Sequence, residues 1–92
     1  MKLNLSLDGK HALVCGASSG IGREAALGLA AHGAMLTLTA RRLLQLEELA
    51  AQLQANGAAA VQIVVADLDT GETAIETILK QAAGLGPIEI LI

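Results

Sequence analysis

Short apolar runs alternate along this chain with longer stretches in which apolar residues recur every three or four positions. That is the pattern of β-strands separated by amphipathic helices. The first strand is expected over His11 to Cys15. A helix follows from about Ile21 to Ala31 and stops at His32-Gly33, where glycine can take the left-handed cap. Met35 to Thr39 reads as the second strand, and Arg42 to Ala55 as the second helix, ended by Asn56-Gly57. Leu46, Leu49, Ala50 and Leu53 fall on one face of that helix. The run Val61 to Ala66 predicts a third strand, apolar enough to be covered on both faces. Asp69-Thr70-Gly71-Glu72 then reads as a helix start, with Asp69 as cap and an acid three positions on. Ile75, Ile78, Leu79 and Ala82 give the third helix its apolar face, with Glu76 and Lys80 as an i, i+4 pair outside. Gly84 to Pro87 ends it, and Ile88 to Ile92 begins a fourth strand. The fold class is α/β, a Rossmann-type half-wound parallel sheet with strand order 3-2-1-4. Right-handed crossovers put the first two helices on one face and the third on the other.

Composition narrows the setting. Ninety-two residues suffice for one small domain, and 53% are apolar with no aromatic among them, so core volume must come from Leu, Ile, Val and Ala. The net charge of −3, spread over scattered residues, argues against nucleic acid, which calls for a basic patch. A single cysteine, Cys15, rules out an internal disulfide or a zinc cluster, and a reducing cytoplasm is the expected setting. Met1 to Asp8 lacks the apolar stretch of a signal peptide. Mean hydropathy is high, at +0.57, but the longest apolar candidate, Ala25 to Ala40, is broken by Gly28, His32, Gly33, Thr37 and Thr39. No membrane helix is expected.

The chemistry concentrates in Cys15-Gly16-Ala17-Ser18-Ser19-Gly20-Ile21-Gly22. These glycines fall where the first strand turns into the first helix. A helix N-terminus offers unpaired N–H groups and partial positive charge, and glycine lets the backbone approach a phosphate closely. Spacing alone is weak: with 10 glycines in the chain, a chance match arises about once in ten such sequences. Position at the strand–helix junction does the discriminating. A Walker loop is excluded because no Lys-Ser/Thr pair follows, and the spacing is Gly-x-x-x-Gly-x-Gly, not Gly-x-Gly-x-x-Gly. A glycine turn that only packs a helix on a sheet is the other reading.

The run Cys15 to Gly22 resembles the cofactor motif of the short-chain dehydrogenase/reductase family, usually Thr-Gly-x-x-x-Gly-Ile-Gly. Leu38-Thr39-Ala40-Arg41-Arg42 resembles the end of that family's second strand, and Ala66-Asp67-Leu68 its segment beside the adenine ring. Ile88 to Ile92 is similar to the strand leading into its Asn-Asn-Ala-Gly motif. Cys15 departs from the usual Thr, keeping the volume but losing a good hydrogen-bond donor. The resemblance makes Gly16, Ser18, Ser19, Gly20, Ile21, Gly22, Arg41, Arg42, Asp67 and Leu68 the dinucleotide-binding residues. NAD-selective sites carry an acid at the end of the second strand, and here that position is Ala40, followed by two arginines. A guanidinium suits a 2′-phosphate, so NADP is expected over NAD. The resemblance puts Arg41 in that role, with Ser18 and Ser19 lending hydroxyls. Two solvated charges at a helix start are the other reading for Arg41 and Arg42, though the helix dipole disfavours cations there. Asp67 either accepts from the adenine amine or caps the next helix. His11 and His32 read as structural.

The family's activity is hydride transfer between a nicotinamide and a carbonyl or alcohol carbon, through a tyrosine, a lysine, a serine and an asparagine. This chain has no tyrosine. Residues 1–92 therefore read as the N-terminal part of a Rossmann NAD(P)-binding domain, ending before the active-site half. No residue here is assigned a catalytic role and no metal is expected. The resemblance implies an NADP-dependent oxidoreductase, with a 3-oxoacyl-type reductase among the forms it allows, and a homo-oligomeric parent protein. The alternative is a non-catalytic nucleotide-binding or interaction module. In isolation the chain is expected to be inactive and to self-associate.

Overall fold

Each of the three βα junctions predicted from the periodicity is present in the computed structural model, which describes residues 6–17, 20–67 and 71–92. Strand β1 (His11–Cys15) leads into helix α1 (Gly20–Ala31). Strand β2 (Met35–Ala40) leads into α2 (Leu43–Ala55), and β3 (Ala60–Val65) precedes α3 (Glu72–Ala82). A single 3-10 turn at Ala83–Leu85 extends α3, and β4 is Ile90–Leu91. The four strands form one parallel sheet in the order β3-β2-β1-β4. His11 pairs with Met35 and Val14 with Leu38, while Leu13 pairs with both Thr37 and Leu91.

Alternation along the strands sends successive side chains to opposite faces, and the two faces differ in quality. On one, Val14, Leu36 and Leu38 pack with Ala26 and Ala30 of α1 and Leu46, Leu49 and Leu53 of α2. Alanines on α1 let that helix come close to the sheet, which suits a core without aromatic rings. On the other face the buried apolar cluster among the described residues is Leu13, Val64 and Ile78. Beside it an open apolar groove runs between Leu13, Cys15, Leu91 and the α3 residues Ile75, Ile78 and Leu79.

Several expectations need correction. The third strand is not covered on both faces: it is an edge strand, with Val64 buried but Val65 exposed. Helix α3 buries Ile78 and Ala82, while Ile75 and Leu79 remain 46% and 48% exposed. Its apolar face is wider than the sheet beneath it. The cap of α3 is Gly71, at φ 92°, without a side-chain cap bond; the expected cap Asp69 lies outside the described residues. Glu76 and Lys80 do not close into an ion pair; among the described residues the ion pairs are Lys10–Glu89 and Arg23–Glu24. The fourth strand proper is Ile90–Leu91, shorter than the expected Ile88 to Ile92, although backbone bonds to β1 run from Glu89, which donates to the His11 carbonyl, to Ile92, which donates to the Leu13 carbonyl.

Candidate dinucleotide site

The glycine turn sits at the C-terminal edge of the sheet, held on both sides by backbone. The Ala17 N–H donates to the Thr39 carbonyl at 3.2 Å, tying the turn to β2. The Cys15 N–H donates to the Ile92 carbonyl at 3.1 Å, tying it to the chain after β4. On the far side the Ala66 N–H donates to the Ala40 carbonyl at 3.0 Å. These bonds bring the ends of all four strands, and with them Gly16, Arg41, Asp67 and Ile92, to one edge. In an open α/β sheet that edge, outside the carboxyl ends of the strands, is where ligands bind.

The glycines divide into two kinds. Gly16 and Gly20 have φ of 65° and 61°, a region that side chains rarely adopt. A Cβ on either would meet nothing within 4 Å, so the outer side of the turn is open space in which a phosphate can stand. Gly22 differs. A Cβ there would lie 2.7 Å from the Gly16 carbonyl oxygen, so this glycine lets the first turn of α1 pack against the loop. Ile21, between Gly20 and Gly22, is 85% exposed, an apolar side chain presented at the open side of the turn. Helix α1 carries no acid in its first turn, so no carboxylate there competes with an anion for its N-terminal N–H groups.

At the end of β2, Arg41 and Arg42 are exposed, with Arg42 at the N-cap of α2 in extended backbone and making no side-chain cap bond. Neither arginine enters an ion pair among the described residues. The position before them is Ala40, with no carboxylate. Asp67 is half-buried just beyond β3. Ser18, Ser19 and Leu68 lie outside the described residues. The structure thus gathers Gly16, Gly20, Ile21, Gly22, Arg41, Arg42 and Asp67 along one edge.

Two further residues bear on this edge. Thr39 is 1% exposed, and its Oγ1 is a buried polar atom without a hydrogen-bond partner. Its carbonyl anchors the glycine turn, a role no sequence signal announces because the backbone plays it. Cys15 is half-buried, and burial pushes its thiol above the ordinary value of 9.0. It is therefore a packed, protonated thiol, not an activated nucleophile. No described group of His, Cys, Asp and Glu could hold a metal, and no described helix is long and apolar enough to cross a membrane.

Comparison with known proteins agrees with the geometry. Residues 10–92 match the short chain dehydrogenase family. A glycine betaine reductase of Emericella nidulans is 46% identical over 88 residues, covering 94% of this chain and 7% of that protein. Hydroxysteroid 11-beta-dehydrogenase 1-like protein B of Xenopus laevis is 37% identical over 87 residues, covering 95% of this chain and 30% of that protein. Among solved structures, the L-sorbose reductase of Gluconobacter frateurii in complex with NADPH and L-sorbose superposes with a TM-score of 0.88. The two are 30% identical, and the match covers 97% of this chain and 34% of that one. The chain spans about a third or less of the length of these relatives. Fold, glycine turn and matches agree: the chain belongs to the short chain dehydrogenase family.

Proposed function

We propose that this chain is the cofactor-binding portion of an NADP-dependent short-chain oxidoreductase. The observation that carries the reading is the open glycine turn beside a strand end that has arginines in place of an acid. A pyrophosphate would lie against the N–H groups at the start of α1, with the space outside Gly16 and Gly20 receiving its oxygens. Arg41 and Arg42 would meet a 2′-phosphate on the adenosine ribose, and Ser18 and Ser19 would add hydroxyls. Asp67 and Leu68 would border the adenine, and Ile21 would meet the far half of the dinucleotide across the turn. When bound, the reduced nicotinamide would supply a hydride to a carbonyl carbon, and the oxidised form would accept one from an alcohol carbon. A 3-oxoacyl compound is one such substrate class. No tyrosine is available within residues 1–92, so this segment binds and orients the cofactor while the proton-transfer groups must come from elsewhere.

Arg41→Ala tests the cofactor assignment. It should weaken NADP binding by about 1.5–3 kcal/mol, the worth of a charged hydrogen bond, and leave NAD binding almost unchanged. Titrating both dinucleotides against wild type and variant by calorimetry checks this; an unaltered NADP to NAD ratio would overturn the role of Arg41. A second reading, a non-catalytic nucleotide-binding or interaction module, draws on the groove lined by Leu13, Cys15, Ile75, Ile78, Leu79 and Leu91. Dinucleotide binding alone does not separate the two; turnover of a carbonyl or alcohol substrate by a longer form of the protein, or its absence, does.

A further inference from the structure

The turn between α2 and β3 lies at the edge of the sheet opposite the glycine turn, where α1 and α2 both end. Helix α2 stops at its C-cap Asn56, with φ −92° and ψ 1°. Gly57 follows at φ 114°, a conformation that favours glycine. The Ala58 N–H donates to the Leu53 carbonyl at 3.0 Å and the Gly57 N–H to the Gln54 carbonyl at 3.4 Å. The second is the longest bond of the cap, since those from the Asn56 N–H to Gln52 and Leu53 are 3.0 and 3.1 Å. Asn56 and Gly57 are both exposed, and the Asn56 carboxamide makes no hydrogen bond among the described residues. A Cβ on Gly57 would stand 3.2 Å from the Ala30 carbonyl oxygen, so the turn also lies against the last turn of α1.

Asparagine followed by glycine carries a reaction of its own, one reason asparagine is thermolabile. The glycine nitrogen can attack the side-chain carbonyl carbon, because no Cβ hinders it and its φ is free. At this site a bond would form from the Gly57 nitrogen to Cγ of Asn56. The Cγ–Nδ2 bond would break, and ammonia would leave with the Gly57 amide proton. Water then opens the resulting five-membered imide. Opening at the side-chain carbonyl leaves aspartate, and opening at the main-chain carbonyl leaves isoaspartate. The net change is one water consumed and one ammonia released, with no oxidant or reductant. In the closed cap, ψ of 1° at Asn56 turns the Gly57 N–H back toward Gln54, so the ring can close only when the cap opens. The weak 3.4 Å bond is the one that must break.

We propose that Asn56-Gly57 is a self-modifying site, gated by opening of the α2 C-cap, whose product then holds that cap open. A carboxylate at position 56 stands at the negative end of the α2 dipole and beside the end of α1, where an anion is disfavoured. Neither helix has a basic residue in its last turn to offset it. Isoaspartate also adds a methylene to the main chain between the Asn56 and Gly57 positions, which moves the Gly57 and Ala58 donors off the Gln54 and Leu53 carbonyls.

Peptide mapping by mass spectrometry tests this on the 92-residue chain aged at mildly alkaline pH, folded and in urea. The chain has two asparagines, and Asn4, followed by Leu5, serves as the internal control. The Asn56 peptide of the folded chain should gain one mass unit and split into aspartate and isoaspartate forms, while the Asn4 peptide stays unchanged. In urea the Asn56 conversion should run about tenfold faster, because local opening no longer limits it. Asn56→Gln should abolish the gain. Asn56→Asp should shift the folding equilibrium about two- to fivefold toward the unfolded chain at neutral pH, an effect that disappears in acid as the new carboxylate protonates. Conversion no faster than at Asn4, equal rates folded and in urea, or an Asn56→Asp variant as stable as wild type at neutral pH overturns the proposal.

Discussion

At the residue scale, the glycine turn separates two uses of the same amino acid. Gly16 and Gly20 are needed for their backbone conformation, Gly22 for the absence of a side chain. Gly22→Ala drives a methyl to 2.7 Å from the Gly16 carbonyl, and backbone on both sides cannot give way cheaply. We expect a loss of about 1–3 kcal/mol in stability, in the range of overpacked sites, measured by urea denaturation. Cys15 carries a pH signature of its own. Burial raises its thiol above 9.0, so the folded state holds the proton more tightly than the unfolded chain does. The stability this contributes is full below the unfolded value and is lost as pH climbs through the folded one. Thermal melts of wild type should therefore fall above about pH 9 faster than those of Cys15→Ser, since the thiolate is the form that burial disfavours. The glycine spacing was visible in the sequence because it recurs at fixed positions. The anchoring of the turn by the Thr39 carbonyl was not, because every residue has a carbonyl and only folding says which one lies near.

At the element scale, helix α3 shows where periodicity stops being informative. Ile75, Ile78, Leu79 and Ala82 share one helical face, yet only Ile78 and Ala82 are buried. Hydrophobic spacing reports which face a helix offers to a partner; it does not report how wide that partner is. Truncating Ile78 to Ala should cost about 2–4 kcal/mol, as for other buried aliphatic side chains. Leu79→Gln, at a half-exposed site, should change stability by less than about 1 kcal/mol and reduce self-association. Urea midpoints together with static light scattering distinguish the two effects. The first two helices were legible almost to the residue, because α1 and α2 lie on a face wide enough to cover their apolar stripes. The cap of α3 was misread because Asp69 has the right chemistry but Gly71 occupies the turn.

At the scale of the whole molecule, two sheet faces of unequal quality decide the behaviour of the isolated chain. The face under α1 and α2 has a continuous core. The α3 face has a small cluster, an apolar groove, and the edge strand β4 with Leu91 69% exposed. Exposed apolar surface next to a bare strand edge favours association. We expect the 92-residue chain to form concentration-dependent oligomers in size-exclusion chromatography with light scattering. A monodisperse monomer that melts cooperatively at every concentration would contradict this. By itself the sequence determined the element order, the α/β class and the glycine turn, because these depend on residue spacing and on glycine, which act locally along the chain. Only the tertiary structure decided that the third strand is an edge and that half the apolar face of α3 is left open. Those outcomes depend on which distant residues meet across a sheet, and strand register, not local pattern, sets that.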